Sequence, residues 1–180
     1  MYISIETNTT NMRFFLIGYM GSGKSYWTKS LSKTLNFPEV DMDQEIEHIE
    51  KMKIKDIFST KGEPYFRNLE TKILKDIVEK YKHIIISTGG GLPCHSDNMD
   101  YMNEHGITIY LKVPEEEIYN RLIEAKQQRP LLKNMSDEEI KTFISKSIKE
   151  RTNYYEQARI SLDVNNISEH NFSDILKSYA

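Results

Sequence analysis

A chain of 180 residues, 38% hydrophobic and 28% charged, is long enough to bury a core and too apolar to be disordered throughout. Its net charge of −3, with both signs interspersed, excludes a broad nucleic-acid-binding face while leaving room for a local basic pocket. A single cysteine, Cys94, excludes an internal disulfide framework and a Cys-x-x-Cys metal site, and no apolar run approaches the about 20 residues that cross a bilayer.

The opening stretch MYISIETNTT carries Glu6, has no basic start and no sustained apolar segment, so it does not read as a secretory leader. Residues 1–11 are expected to be a disordered extension, with Met12 an alternative start, and residues 12–180 to form one domain. A cytoplasmic protein is expected, with no membrane or nucleic-acid partner. Nothing in the sequence requires an oligomer, so a monomer is expected.

Residues 14–17 (FFLI) read as a short buried strand ended by Gly18. Trp27, Leu31 and Leu35 then recur at helical spacing over residues 25–35. A second strand is expected over residues 37–40, running into Asp41, followed by a charged helix over residues 44–58 with Ile46, Ile49, Ile54 and Ile57 as its apolar positions. Gly62 should break the helical pattern, and Pro64 suits the first turn of the next helix, whose buried face is Phe66, Leu69, Ile73 and Ile77. Residues 84–86 form a β-branched strand stopped by Gly89, Gly90 and Gly91. Residues 107–113 give another strand, and Pro114-Glu115-Glu116 opens a helix. A helix over residues 140–159, a strand over residues 160–164 and a C-terminal helix complete the chain. Strands alternating with helices call for a parallel sheet covered on both faces. The polar segment at residues 126–138, interrupted by Pro130, is the expected mobile flap.

The run GYMGSGKS places Gly18, four residues, then Gly23, Lys24 and Ser25, the spacing of a phosphate-binding loop. Glycines there let backbone N–H groups point at phosphate oxygens, and the helix starting near Ser25 adds the positive end of its dipole. Lys24 is expected on the β- and γ-phosphates and the Ser25 hydroxyl on Mg²⁺. The expected ATP-binding run is Gly21, Ser22, Gly23, Lys24, Ser25 and Tyr26. GTP switch proteins share this loop but need an Asn-Lys-x-Asp run, which is absent here.

Three further groupings ask for a small anionic partner. Asp41 and Asp43 lie two residues apart at a strand end, which sends both side chains the same way. One could hold the water shell of Mg²⁺ and the other a substrate hydroxyl, although a solvated turn has the same spacing. Arg67 has Glu63 four residues before it and Glu70 three after it on one helix face. The two carboxylates can aim its guanidinium at a carboxylate ligand, or the three residues form only a surface ion-pair cluster. Gly89, Gly90 and Gly91 follow a strand's carboxyl end, where open parallel sheets bind ligands, and close approach of a substrate to backbone N–H groups would account for three bare residues.

Taken with VDMDQEIE, IKDIFSTKGEPYFRNLE, STGGG, RPLL and ERTNYYEQA, in that order, the chain from Met12 to about Val164 resembles the shikimate kinase family. The resemblance implies a three-layer α/β P-loop kinase fold of the nucleoside-monophosphate-kinase type, with a central parallel five-stranded sheet flanked by helices and a mobile lid. It implies transfer of the ATP γ-phosphoryl group to the 3-hydroxyl of shikimate, a step toward chorismate and the aromatic amino acids. Asp43, Arg67, Gly89, Gly90, Gly91 and Arg151 would hold shikimate, and Ser25 and Asp41 would belong to the magnesium side. Lys24, Asp43 and Arg129 would be catalytic, with Arg129 swinging over the phosphates and Arg121 near the adenine. The chain has Met52 where the family usually has glycine, and Asn153 where its R-x-P-x-Y pattern has proline. A kinase of another small hydroxylated acid, such as gluconate, and a silent nucleotide-binding module are the rival readings.

Overall fold

The structure is a computed structural model that describes residues 11–126, 132 and 135–179. The expected extension apart from Asn11, and most of the expected flap, Arg129 included, lie outside the described residues. In chain order the elements are β1 (Met12–Ile17), α1 (Lys24–Leu35), β2 (Glu39–Asp41), α2 (Met42–Glu50), α3 (Ile54–Lys80), β3 (His83–Ser87), α4 (Asn98–His105), β4 (Ile107–Lys112), α5 (Glu115–Glu124), α6 (Asp137–Tyr155), β5 (Ile160–Asp163) and α7 (Glu169–Lys177).

All five strands are parallel, in the order β2-β3-β1-β4-β5. Successive side chains of β1 serve opposite faces of the sheet. Phe15 and Ile17 pack with Ile46, Phe66, Ile73, Leu74, Ile118, Leu122 and Tyr155. Phe14 and Leu16 pack on the other face with Trp27 and Leu31 of α1 and Phe172 and Leu176 of α7. Both faces are therefore dry, which is why MRFFLI and HIIIS read as unbroken apolar runs rather than alternating ones. From β1 the chain moves one way for β2 and β3 and the other way for β4 and β5. The loops at the carboxyl ends of β1, β2 and β3 consequently open onto a crevice, the place where such sheets take ligands.

Several boundaries differ from the sequence reading. The expected helix over residues 44–58 is two helices. α2 stops at Glu50 because Lys51 adopts left-handed dihedrals (φ 53°, ψ 30°), and Glu47 then accepts a hydrogen bond from the Ile54 backbone N–H at 3.0 Å. Met52, where a glycine was usual, is not in the left-handed region; its neighbour Lys51 takes that conformation instead. Gly62 does interrupt helical geometry (φ 81°, ψ 167°), but α3 resumes at once beyond it. α6 begins before residue 140, held by a reciprocal cap between Ser136 and Glu139. The short helix α4, absent from the sequence reading, buries Met99 and Met102.

Arg13 illustrates how the loop ends opposite the crevice are fixed. Its Nε donates to the Tyr81 carbonyl at 2.7 Å and its Nη1 to the His105 carbonyl at 3.2 Å, satisfying acceptors at two helix ends. Gly106 lies against it so closely that a Cβ there would overlap the Arg13 carbonyl oxygen and come within 2.8 Å of the Phe15 ring. Gly106→Ala is therefore expected to lower unfolding free energy by about 1–3 kcal/mol, read from the urea midpoint; an unchanged midpoint would contradict this packing.

Candidate active site

The phosphate loop joins β1 to α1. Gly21 (φ 83°) and Gly23 (φ 91°) take left-handed conformations, and Gly23 caps α1 without a side chain. The first helix amide satisfied within the turn is Trp27 N, which donates to the Gly23 carbonyl at 3.0 Å. The first turn of α1, from Lys24 to Tyr26, lies at the electropositive end of the helix. Lys24 is 8% exposed and folds back into the loop. Its Nζ donates to the carbonyls of Gly18 at 2.8 Å and Tyr19 at 2.9 Å, and to Ser22 Oγ at 3.4 Å. Arg121 of α5 approaches from the side, donating from Nη1 to the Gly21 carbonyl at 2.9 Å and pairing with Glu117. The Tyr26 side chain is not part of this group; its hydroxyl donates to Glu169 of α7 at 2.6 Å.

Ser25 Oγ donates to Asp41 Oδ2 at 2.5 Å, joining the start of α1 to the end of β2. The other oxygen of Asp41 accepts from the amides of Asp43 at 3.1 Å and Gln44 at 3.3 Å, so Asp41 is the N-cap of α2. This corrects the strand argument for the aspartate pair. Asp43 belongs to the first turn of α2, and its side chain is directed by the helix rather than by strand alternation. Asp43 nonetheless reaches the glycine run, its Oδ1 lying 3.1 Å from where a Cβ on Gly89 would sit.

That run begins where Thr88 donates to the Leu16 carbonyl from both N and Oγ1, each at 3.1 Å. A Cβ on Gly89 would come within 2.7 Å of Glu70 Oε1, and one on Gly91 within 2.6 Å of Arg67 Nη1. At Gly90 it would meet the Gly18 carbonyl at 3.3 Å, Met20 N at 3.5 Å and Arg151 Nη1 at 3.7 Å. Two guanidinium groups therefore converge on adjacent glycines, and the middle glycine lies against the phosphate loop. Arg151 also lies over the Tyr19 ring at 5.5 Å, and the Tyr155 hydroxyl, one turn further along α6, donates to the Gly90 carbonyl at 2.6 Å. α6 is unbroken through Asn153, so Arg151 reaches this point without the family's proline.

Arg67 is held on both sides, by Glu70 Oε2 on Nη1 at 2.7 Å and by Glu63 Oε1 on Nη2 at 2.9 Å and Nε at 3.1 Å. The rings of Phe66 and Phe58 lie 5.3 and 5.9 Å from its guanidinium carbon. Burial works against its charge, but Glu70 and Glu63 outweigh that and keep its pKa above the ordinary guanidinium value. Glu70 is 1% exposed. Burial pushes its carboxyl up to about 7, Arg67 pulls it down, and Asp43 and Glu63 add to the rise. The sequence reading named Glu70 as a carboxylate that aims Arg67 or as part of a surface ion-pair cluster, and did not place it in the core. Its position four residues after Phe66 and three before Ile73 puts it in the apolar stripe of α3, which was the available signal. Nearby, burial raises the Cys94 thiol to about 11, and burial with the charges of Arg67 and Arg151 lowers the His95 imidazole.

The family model that matches this chain is shikimate kinase, over residues 20–180. A shikimate kinase of Azobacteroides pseudotrichonymphae is 47% identical, with 82% of this chain and 87% of that protein covered. One of Parabacteroides distasonis is 42% identical, with 84% and 87% covered. Among solved structures, the shikimate kinase of Bacteroides thetaiotaomicron is 36% identical with a TM-score of 0.84, covering 93% of this chain and 96% of that one. The shikimate kinase of Acinetobacter baumannii in complex with shikimate is 27% identical with a TM-score of 0.80, covering 95% and 92%.

Glu70 provides a test of the site's electrostatics. Its folded carboxyl holds a proton that the unfolded chain releases near its ordinary value of 4.5, so its contribution to stability falls as pH rises from there to about 7. Relative to Glu70→Gln, the wild-type protein should lose on the order of 3 kcal/mol of unfolding free energy across that window. Urea titrations of both proteins at pH 5 and pH 8 measure this, and a pH-independent difference would contradict the burial of Glu70 as an acid.

Proposed function

The chain belongs to the shikimate kinase family, and from that membership and this geometry we propose that it transfers the γ-phosphoryl group of ATP to the 3-hydroxyl of shikimate, giving shikimate 3-phosphate and ADP, a step of chorismate and aromatic amino-acid biosynthesis. The observation that carries the reading is the convergence of Arg67 and Arg151 on Gly90 and Gly91, directly beside the phosphate loop. Shikimate has one carboxylate and three hydroxyls, and two guanidinium groups with one aspartate complement it.

In this reading Arg67 and Arg151 take the carboxylate, while Gly89, Gly90 and Gly91 let the ring approach the backbone. Asp43 accepts the hydrogen bond of the 3-hydroxyl and orients its oxygen in line with the γ-phosphorus. The new bond joins that oxygen to phosphorus, the bond from the γ-phosphorus to the β,γ-bridging oxygen breaks, and the hydroxyl proton leaves toward the Asp43 carboxylate. Lys24 exchanges the carbonyls of Gly18 and Tyr19 for the β- and γ-phosphate oxygens. The phosphates lie against the amides of Gly21, Ser22, Gly23, Lys24, Ser25 and Tyr26. Arg121 flanks the nucleotide, and Arg129, outside the described residues, closes over the phosphates.

Magnesium suits the donors at the loop. The Ser25 hydroxyl and the Asp41 carboxylate are hard oxygens already within hydrogen-bonding distance of each other. Among the described residues no group of three or more His, Cys, Asp or Glu forms a metal site, which matches an ion that takes most of its ligands from phosphate and water. Bound there, Mg²⁺ would neutralise phosphate charge. The reading extends to a cytoplasmic monomer; among the described residues no helix is long and apolar enough to cross a membrane.

Two measurements test the proposal. ADP release from Mg·ATP should require shikimate, and turnover with gluconate but not shikimate would overturn the assignment. Arg67→Ala should raise the KM for shikimate roughly 10- to 150-fold, the equivalent of about 1.5–3 kcal/mol for a charge-assisted contact, with the KM for ATP within about twofold of wild type. Without the arginine, Glu70 loses the attraction that opposes burial and stays protonated at neutral pH, so the variant should fold. Equal losses for both substrates would place Arg67 elsewhere than on the acceptor.

A further inference from the structure

One side-chain cluster has no part in the transfer as described, yet it joins the two helices that bear the acceptor groups. Glu50 is the last residue of α2, and its side chain is 11% exposed. Lys61 Nζ donates to its Oε2 and the Tyr65 hydroxyl donates to its Oε1 at 2.8 Å. Lys61 also reaches Tyr65 Oη at 3.2 Å and lies 4.5 Å from the centre of that ring. Lys61 precedes Gly62 and Tyr65 follows it, so one carboxylate holds both limbs of α3 across the single residue at which its helix is interrupted. One turn earlier, Glu47 accepts from the Ile54 amide at 3.0 Å and from Lys53 at 2.7 Å. α2 thus grips α3 at its start and at its break.

The same two helices carry the acceptor chemistry. Asp43 is in the first turn of α2, and Arg67 lies two residues beyond Tyr65 on the second limb of α3. We infer that the cluster of Glu50, Lys61 and Tyr65 is a positioning clamp that sets the separation of Asp43 and Arg67, and with it the affinity for shikimate. The inference rests on the acceptor assignment made above. Gly62 is a free hinge by itself, since glycine carries no Cβ to restrict its dihedrals. Arg67 stands five residues past it, roughly 7 Å of helix at 1.5 Å per residue, so a tilt of about 10° would move it by roughly 1 Å. A misplacement of that size is enough to spoil a catalytic constellation. An isolated exposed ion pair contributes little. Here two donors from opposite sides of a hinge meet on one largely covered carboxylate. The hydrogen bonds from Lys61 and Tyr65 hold the Glu50 carboxyl below its usual range, and those with Glu50 and Tyr65 hold the Lys61 amine above its own, so both stay charged at neutral pH.

The test is a comparison of Michaelis constants for Glu50→Gln, Lys61→Met and Tyr65→Phe, with melting temperatures taken alongside. Each should raise the KM for shikimate about three- to tenfold, leaving the KM for ATP within about twofold. The double variant Glu50→Gln/Lys61→Met should be no worse than the more severe single one, and Lys61→Arg should restore most of the affinity. A general loss of structure would instead move both Michaelis constants together. Unchanged shikimate constants, or parallel rises for shikimate and ATP, in an enzyme whose wild-type turnover requires shikimate would overturn the clamp alone. Wild-type turnover indifferent to shikimate would overturn the acceptor assignment and the clamp with it.

Discussion

Three consecutive positions without side chains, Gly89 to Gly91, set how closely everything else in the site can approach. Each is filled by a different neighbour: Glu70 with Asp43 at the first, the phosphate loop with Arg151 at the second, Arg67 at the third. Because the run follows directly from β3, which pairs with β1, these neighbours are referenced to the sheet rather than to a free loop. A methyl group at Gly89 or Gly91 would have to displace a charged group that is itself hydrogen-bonded, since Arg67 and Glu70 hold each other at 2.7 Å. The backbone entropy lost by ordering three glycines is the cost of this arrangement. What it secures is a crevice in which α2, α3 and α6 can each bring a charge to one stretch of main chain.

The charges are arranged so that the cations remain committed. Arg67 is clasped by two carboxylates and stacked near two aromatic rings, which fixes the orientation of its fork without using all of its donors. Glu70 is the group under strain. It sits in the buried stripe of α3 beside Asp43, so burial and a like charge act against its ionisation while Arg67 acts for it. The outcome near neutrality is a balance of these opposed influences. Removing either Arg67 or the burial would tip it, whereas the exposed pairs elsewhere on the surface have no such leverage.

Much of this was legible in the chain, and the failures have physical reasons. The phosphate loop could be read because its function is local: glycines, lysine and hydroxyl act within eight residues. Arg67 and its partners could be read because helical spacing alone places Glu63 and Glu70 beside it. The division of α2 from α3 was hidden because Ile46, Ile54 and Ile57 keep an apolar rhythm across the turn, and the stop is made by Lys51 rather than by glycine or proline. Asp41 does end a strand, but the alternation was carried on to Asp43, and an aspartate ahead of Asp43 and Gln44 also meets the requirement for an N-cap. α4 went unseen because only Met99 and Met102 mark its buried face in an otherwise polar stretch. The glycine run was attributed to ligand approach alone. That Glu70 and Arg67 occupy two of its three places depends on contacts about 20 residues apart in sequence, beyond the reach of any local pattern.

Lysine and backbone are matched within the phosphate loop. An ammonium that is 8% exposed must find acceptors, and Lys24 finds them in the carbonyls of Gly18 and Tyr19 and the hydroxyl of Ser22. Those carbonyls belong to the curl that the glycines permit, so lysine and loop stabilise each other. Arg121 adds a further donor, on the Gly21 carbonyl. Transferring Lys24 from neutral carbonyls to phosphate oxygens replaces neutral acceptors with charged ones, and charge-assisted hydrogen bonds are the stronger kind. In the proposed reaction that gain would fall on the nucleotide, which leaves the binding energy of the acceptor acid available for aligning its hydroxyl.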